Sequence, residues 1–148
     1  MLGLSLMVIH PQIVYAEEAN PLIDTRDLYA KAEFVVHGMV IRVDKTPTKT
    51  TAVWAIQTRY KGELPELITV MSDSGKVRIN QKEPDFAPYD QAILYLVKDG
   101  NAYRCINGRY GKKEIANDNV YLDPHNSFNT IKKVEYIKLL ESLAGITG

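Results

Sequence analysis

The sequence predicts a mainly β protein, a small barrel of five or six strands with a short helix before it and a longer helix after it. Three observations carry that expectation. Apolar residues alternate with a period of two in several segments between residues 33 and 116, which is the spacing of a strand. Gly38 interrupts the first and longest of these segments, and a glycine there suits the bend or bulge that curls a sheet. A period of three to four appears only at 24–32 and 128–144, and that period is helical.

Each element follows in order. Asp24 or Thr25 can cap a helix over 24–32, with Leu28 and Ala32 on one face at i, i+4. Residues 33–43 are a strand that is apolar on both faces at its start. Residues 44–50 are a polar loop. Over 51–61, Ala52, Trp54, Ile56, Thr58 and Tyr60 fall on one face, and clean alternation predicts one buried side and one wet side. A third strand covers 67–72, followed by a turn at Asp73-Ser74-Gly75-Lys76. Residues 80–90 read as a polar loop anchored by Phe86. Residues 91–98 are a strand apolar enough to be buried on both faces. Asp99-Gly100 is a hairpin turn, 101–106 return as a fifth strand, and 110–116 add a short sixth. Val134, Ile137, Leu140 and Ala144 form the stripe of the last helix, with Ser127 or Asn129 as its cap and Gly145 as its stop. Five strands, the first long and bent, with a helix to cover an open end match the OB-fold best. A β-sandwich needs about seven strands.

Composition narrows the function classes. The chain has 148 residues, 45% hydrophobic and 24% charged, which is globular and enough for one domain. Lys and Arg together number 18, as do Asp and Glu, so the net charge is zero. A nucleic-acid binder carries an excess of positive charge, and none is expected as a partner. One cysteine and three histidines exclude an internal disulfide framework and a Cys-rich zinc site.

The N-terminus reads as an address. Residues 2–9 are an apolar run, and Val14-Tyr15-Ala16 precede Glu17-Glu18. An h-region followed by small residues at −3 and −1 predicts a secretory signal over 1–16, cleaved between Ala16 and Glu17. Residues 1–16 contain no Lys or Arg, so the positive start of such a signal is expected upstream of Met1. The run is too short to span a bilayer, and no stable span is expected after processing. Residues 17–148 are then one OB-like domain in the extracellular space or cell envelope.

The strand segments carry a resemblance. Ala32-Glu33-Phe34-Val35-Val36-His37-Gly38-Met39-Val40, Tyr60-Lys61-Gly62 with Ile68-Thr69-Val70, Pro84-Asp85-Phe86 leading to Asp90 through Leu96, and Tyr103 to Gly111 resemble secreted bacterial OB-fold domains related to the netrin module and the tissue inhibitors of metalloproteinases. The resemblance covers about residues 29–122 and rests on scaffold positions. It implies the fold. Inhibitors of that group place an N-terminal cysteine on the target's zinc, and here the sole cysteine is Cys105 within a strand, so the inhibitory chemistry does not carry over.

Catalytic constellations fare poorly. His37, His125, Ser72, Ser74 and Asp73 form no recognisable triad spacing, and no Gly-x-Ser-x-Gly elbow occurs. Cys105 reads as a small apolar strand residue. Ser74-Gly75-Lys76 lacks the earlier glycine of a phosphate loop, and Gly108-Arg109-Tyr110-Gly111 reads as a hairpin turn. Asn117-Asp118-Asn119 lacks the glutamate that a calcium loop requires. No metal or cofactor is expected. One charge feature stands out. Arg104, Arg109, Lys112 and Lys113 lie within ten residues, interleaved with Tyr103 and Tyr110, and such a hairpin can meet a polyanion. The bland alternative is a solvated surface neutralised in space by Glu83, Glu114 and Asp118.

The sequence thus predicts an exported, non-enzymatic binding module acting through the loops 44–50, 73–90 and 107–113. The partner is an unidentified protein or a cell-envelope polymer. The alternatives are inhibition of a secreted peptidase, by fold analogy, and polyanion binding through the hairpin 104–113.

Overall fold

The computed structural model describes Asn20 and residues 23–145. The predicted signal segment and the Ala16–Glu17 cleavage point lie outside the described residues. The chain runs α1 (Thr25–Lys31), β1 (Phe34–Lys45), β2 (Thr50–Lys61), β3 (Leu67–Ser72), β4 (Gln91–Asp99), β5 (Ala102–Cys105), a 3-10 turn (Gly108–Gly111), β6 (Lys112–Ala116), β7 (Asn119–Asp123), β8 (Asn126–Lys132) and α2 (Lys133–Leu143).

Five strands close a barrel in the order β1-β2-β3-β5-β4, and β4 returns to pair with β1 from Phe34↔Leu96 to Met39↔Gln91. Neighbours are antiparallel except β3 and β5, which meet in parallel at Val70↔Tyr103. This is the five-stranded OB-like barrel that the sequence predicts. The 3-10 turn bends the chain off β5 and back along the first half of β4, where β6 pairs Lys112↔Leu94 through Ile115↔Gln91. β7 and β8 extend that sheet away from the barrel.

The strands bury two faces and so make two cores. Inside the barrel lie Val36, Val40, Ala52, Trp54, Ile68, Val70, Ala92, Leu94 and Leu96, closed at one end by Phe86. Trp54 is 0% exposed and meets the Phe86 ring edge-on at 5.9 Å. Outside it, Leu28, Ala32, Val35, Tyr60, Ile93, Tyr95, Val120, Leu122, Tyr136 and Leu140 form a second cluster beneath the two helices. β4 serves both, with even-numbered residues facing in and odd-numbered residues facing out.

Bulges explain where simple alternation fails. β1 and β2 slip register between His37 and Gly38 and between Val40 and Arg42. A Cβ on Gly38 would lie 2.9 Å from the Ala55 carbonyl oxygen, so the glycine allows close strand approach at the bend. The extra residues change side-chain phase. Tyr60 therefore packs in the outer cluster rather than beside Trp54, and Val43 packs against the inner one.

The C-terminal expectation needs correction. A helix over 128–144 was predicted, and residues 126–132 are instead strand β8, paired with β7 from Asn119↔Lys132 to Asp123↔Asn126. The β-branched Thr130 and Ile131 suit a strand. The helix begins at Lys133, whose N–H donates to the Asp118 carbonyl at 2.8 Å, and neither Ser127 nor Asn129 caps it. Its buried face is Tyr136 and Leu140, while Val134 is 61% exposed. The N-terminal helix agrees with its expectation, since Asp24 caps it by accepting from Arg26 N–H at 2.9 Å. Among the described residues no helix is long and apolar enough to cross a membrane.

Candidate functional site

The three loops singled out in the sequence meet at one end of the barrel. Loop 46–49 and the stretch 75–78 are stitched by backbone bonds, Lys76 N–H to Thr46 O at 2.9 Å and Val77 N–H to Pro47 O at 2.8 Å. Gly75 lies in the seam, where a Cβ would come within 2.4 Å of Thr46 O and 2.5 Å of Lys49 N. That close approach accounts for the glycine of Ser74-Gly75-Lys76 without a phosphate. The Thr50 hydroxyl donates to Ser74 O in the same seam. On the other flank, Arg109 N–H donates to Lys82 O at 2.9 Å and its guanidinium to Gln81 O at 2.8 Å. One loop, 73–90, therefore contacts both of the others.

The four cations predicted to act together are placed in four different ways. Lys113 is 0% exposed, with Nζ donating to Leu122 O at 2.7 Å. It lies in the interior and offers no charge to a surface ligand. Arg104 binds Asp99, Asp73 and Glu83, and its hydrogen bond to Asp99 holds the guanidinium even more firmly charged than usual. Lys112 bonds Asp90 at 3.0 Å and the Asp85 carbonyl at 2.6 Å, and stands 5.6 Å from the Phe86 ring. It secures the loop that plugs the barrel. Among the described residues Arg109 has no carboxylate within 4 Å of its guanidinium. Of the neutralising acids that the sequence suggested, Glu83 does engage the group through Arg104.

Arg109 borders three surface clefts. The first, about 450 Å³, runs between Asp85, Asp90, Glu114, Tyr121 and Asp123. The second, about 220 Å³, is lined by Lys45, Gly75, Ile79 and Glu83. The third, about 650 Å³, is lined by Lys82, Asn107, Tyr110 and His125. Tyr110 and His125 face each other there with ring centroids 5.7 Å apart. The first cleft holds four carboxylates against Arg109 and Lys112, and the third holds Lys82 and Arg109 against Glu83 alone. Anion attraction therefore concentrates on the Lys82 side of Arg109.

Sequence reading missed the neighbours that make this end basic. Lys49, Lys76, Arg78 and Lys82 are exposed and have no carboxylate within 4 Å among the described residues. The available signal was the run from Ser74 to Lys82, which holds three cations and no acid.

The other candidates are accounted for by packing. Ser72 is buried and its hydroxyl donates to Pro84 O at 2.9 Å. His37 is 8% exposed, with Nε2 3.2 Å from Gln91 Oε1. Burial lowers the His37 pKa, the Gln91 bond opposes that, and the Lys133 charge lowers it further. Neither residue bonds the other. Cys105 packs against the inner core, and burial pushes its thiol up to about 12, so it stays protonated and unreactive at neutral pH. Asn117 and Asp118 are the β6–β7 turn, both at positive φ, and among the described residues no cluster of three His, Cys, Asp or Glu can hold a metal ion. No family model matches the sequence, and no curated protein matches it.

Proposed function

We propose that this chain is an exported, non-enzymatic binding module that works through the loop end of its barrel. The observation that carries the reading is the convergence there of loops 46–49, 73–90 and the turn at 108–111, joined by backbone bonds. A barrel whose interior is filled by Trp54 and Phe86 leaves binding to its rim and loops, as small barrels of this topology do. Export rests on the apolar run and the Val14-Tyr15-Ala16 pattern. The strand order is that of an OB-like barrel, and the resemblance to netrin-like and metalloproteinase-inhibitor domains rests on the sequence positions within 29–122. The zinc-directed cysteine of that group has no counterpart in this reading.

The test pairs capture with turnover. Tagged protein is used to pull partners from culture supernatant and envelope fractions, beside a Gly75→Val variant that forces the two loops apart. The expected result is a partner recovered by the parent and lost by the variant, with barrel melting retained. Hydrolysis of peptidase, esterase or phosphatase substrates that persists through repurification and disappears on a site substitution would overturn the non-enzymatic reading.

Polyanion binding through the hairpin remains a second reading, narrowed to Arg109. It is favoured because Arg109 alone of the four predicted cations is both solvent-accessible and without a carboxylate partner among the described residues.

A further inference from the structure

The loop end carries exposed aliphatic side chains as well as charge. Val77 is 77% exposed and Ile79 is 71% exposed. They stand in Lys76-Val77-Arg78-Ile79-Asn80, so Val77 lies between two cations and Ile79 follows one. The same loop buries Phe86 to 2%, so it had an apolar core within reach and left these two residues outside it. Their backbone is fixed. Gly75 N–H donates to Arg78 O at 2.7 Å, Arg78 N–H to Pro47 O at 2.9 Å, and Asn80 N–H to the Ser74 hydroxyl at 3.1 Å. The two aliphatic groups are therefore held in water by a built loop. Cations outnumber acids around them, and the two carboxylates in the cleft beside Ile79, Glu83 and Asp85, are each engaged by a cation, Arg104 and Lys45 respectively. Lys49, Lys82 and Arg109 join Lys76 and Arg78 around them, on segments bonded directly to this loop, in a chain whose net charge is zero.

We propose that this end docks on an anionic lipid surface. Val77 and Ile79 enter the headgroup boundary, and the neighbouring cations meet the lipid phosphates. Exposed aliphatic tips beside exposed cations are the chemistry of interfacial attachment, in which buried apolar area and attraction to anionic lipid add. A soluble polyanion would use the cations and gain nothing from Val77 and Ile79. The proposal rests on the binding-module reading, for which it names the ligand.

The test is co-sedimentation of the full chain with phosphatidylcholine vesicles, with and without phosphatidylglycerol. The readout is the excess bound to anionic over neutral vesicles, in which any contribution of residues 1–19 to neutral-lipid binding cancels. The excess is expected at 0.1 M salt and should largely vanish at 1 M, as the Debye length falls from about 10 Å to about 3 Å. Lys76→Gln with Arg78→Gln should weaken anionic binding roughly thirtyfold, since each cation near such a surface contributes about 1 kcal/mol. Val77→Ser with Ile79→Ser should weaken it about tenfold or more. All four positions are exposed, so the fold should persist. The single tryptophan, Trp54, reports this through unchanged emission from its buried site. Equal binding of the parent to neutral and anionic vesicles overturns the proposal, as does binding unchanged by either variant. If vesicles fail but a captured protein partner is lost by the same variants, the lipid assignment falls and the binding-module reading stands. If the variants change neither, both fall.

Discussion

The inner and outer cores of this protein are built from opposite faces of the same strands, yet they are held differently. The inner core is mostly apolar, and Trp54 Nε1, buried within it, finds no acceptor among the described residues. The outer core is threaded with polar links. The Thr25 hydroxyl donates to the Tyr136 hydroxyl at 2.9 Å, Tyr136 shares a hydrogen bond with Tyr95, and Tyr29 donates to the Tyr60 carbonyl at 2.9 Å. The Lys113 ammonium reaches Leu122 O in the same region. The difference reflects what each core must specify. A closed barrel fixes its interior geometry through its own ladder, and apolar volume suffices to fill it. Helices resting on an outer face have no ladder to orient them. Directional bonds between residues 25, 95 and 136 select which helix face docks.

The largest expected effect lies in the inner core. Trp54→Ala removes its biggest side chain and should cost about 3–5 kcal/mol, read by denaturant unfolding. A melting curve that does not move would mean that the barrel interior does not hold the fold.

In the outer core, Lys113→Met keeps a stem of similar length and deletes the donor to Leu122 O. The loss should be about 1–3 kcal/mol, the cost of leaving a buried acceptor unmet. A neutral result would mean that apolar area alone holds both cores and that the contrast between them is only apparent.

Tyr136→Phe should cost less, about 0.5–1.5 kcal/mol. It should also be non-additive with Tyr95→Phe, because the two hydroxyls share one bond. Strict additivity in a double-mutant cycle would show that Tyr136 orients α2 by packing alone. Trp54→Phe is the matched control in the inner core, where removing an N–H without an acceptor leaves only the change of volume.

The smallest effect is a pH limb. Burial lowers the His37 pKa from 6.5, so the unfolded chain takes up the proton more readily than the folded one. Stability from this group is full above about pH 6.5 and is lost as pH falls through the lowered folded value. His37→Gln should flatten that acid limb of the stability profile. An acid limb of the same slope in the variant would assign it to carboxylates instead.

Several features could be read from residues alone. The barrel strands 67–72 and 91–98, the α1 cap at Asp24 and the anchoring role of Phe86 follow from alternation, turn chemistry and capping, all of which act over a few residues. β8 escaped because Phe128, Thr130 and Ile131 fit a strand only when β7 is beside them, and Phe128 is 93% exposed, so no apolar face announced it. The proposed docking end was half visible. Its acid-free run stands in the sequence, but exposure of Val77 and Ile79 depends on the seam at Gly75.

Periodicity and composition by themselves determined the β class, the barrel, the two helices and a neutral chain without a disulfide framework, because strand alternation and residue counts are local properties. The tertiary structure alone decided the rest. Four cations close in sequence became a core lysine, two committed ion pairs and one open arginine, since charge is shared with whatever carboxylate the fold brings within a few ångströms. Lys49, Lys76, Arg78 and Lys82 came to share one end of the barrel with Arg109 through bonds between their segments. Their segments are distant along the chain, and backbone bonds across the barrel's end bring them together.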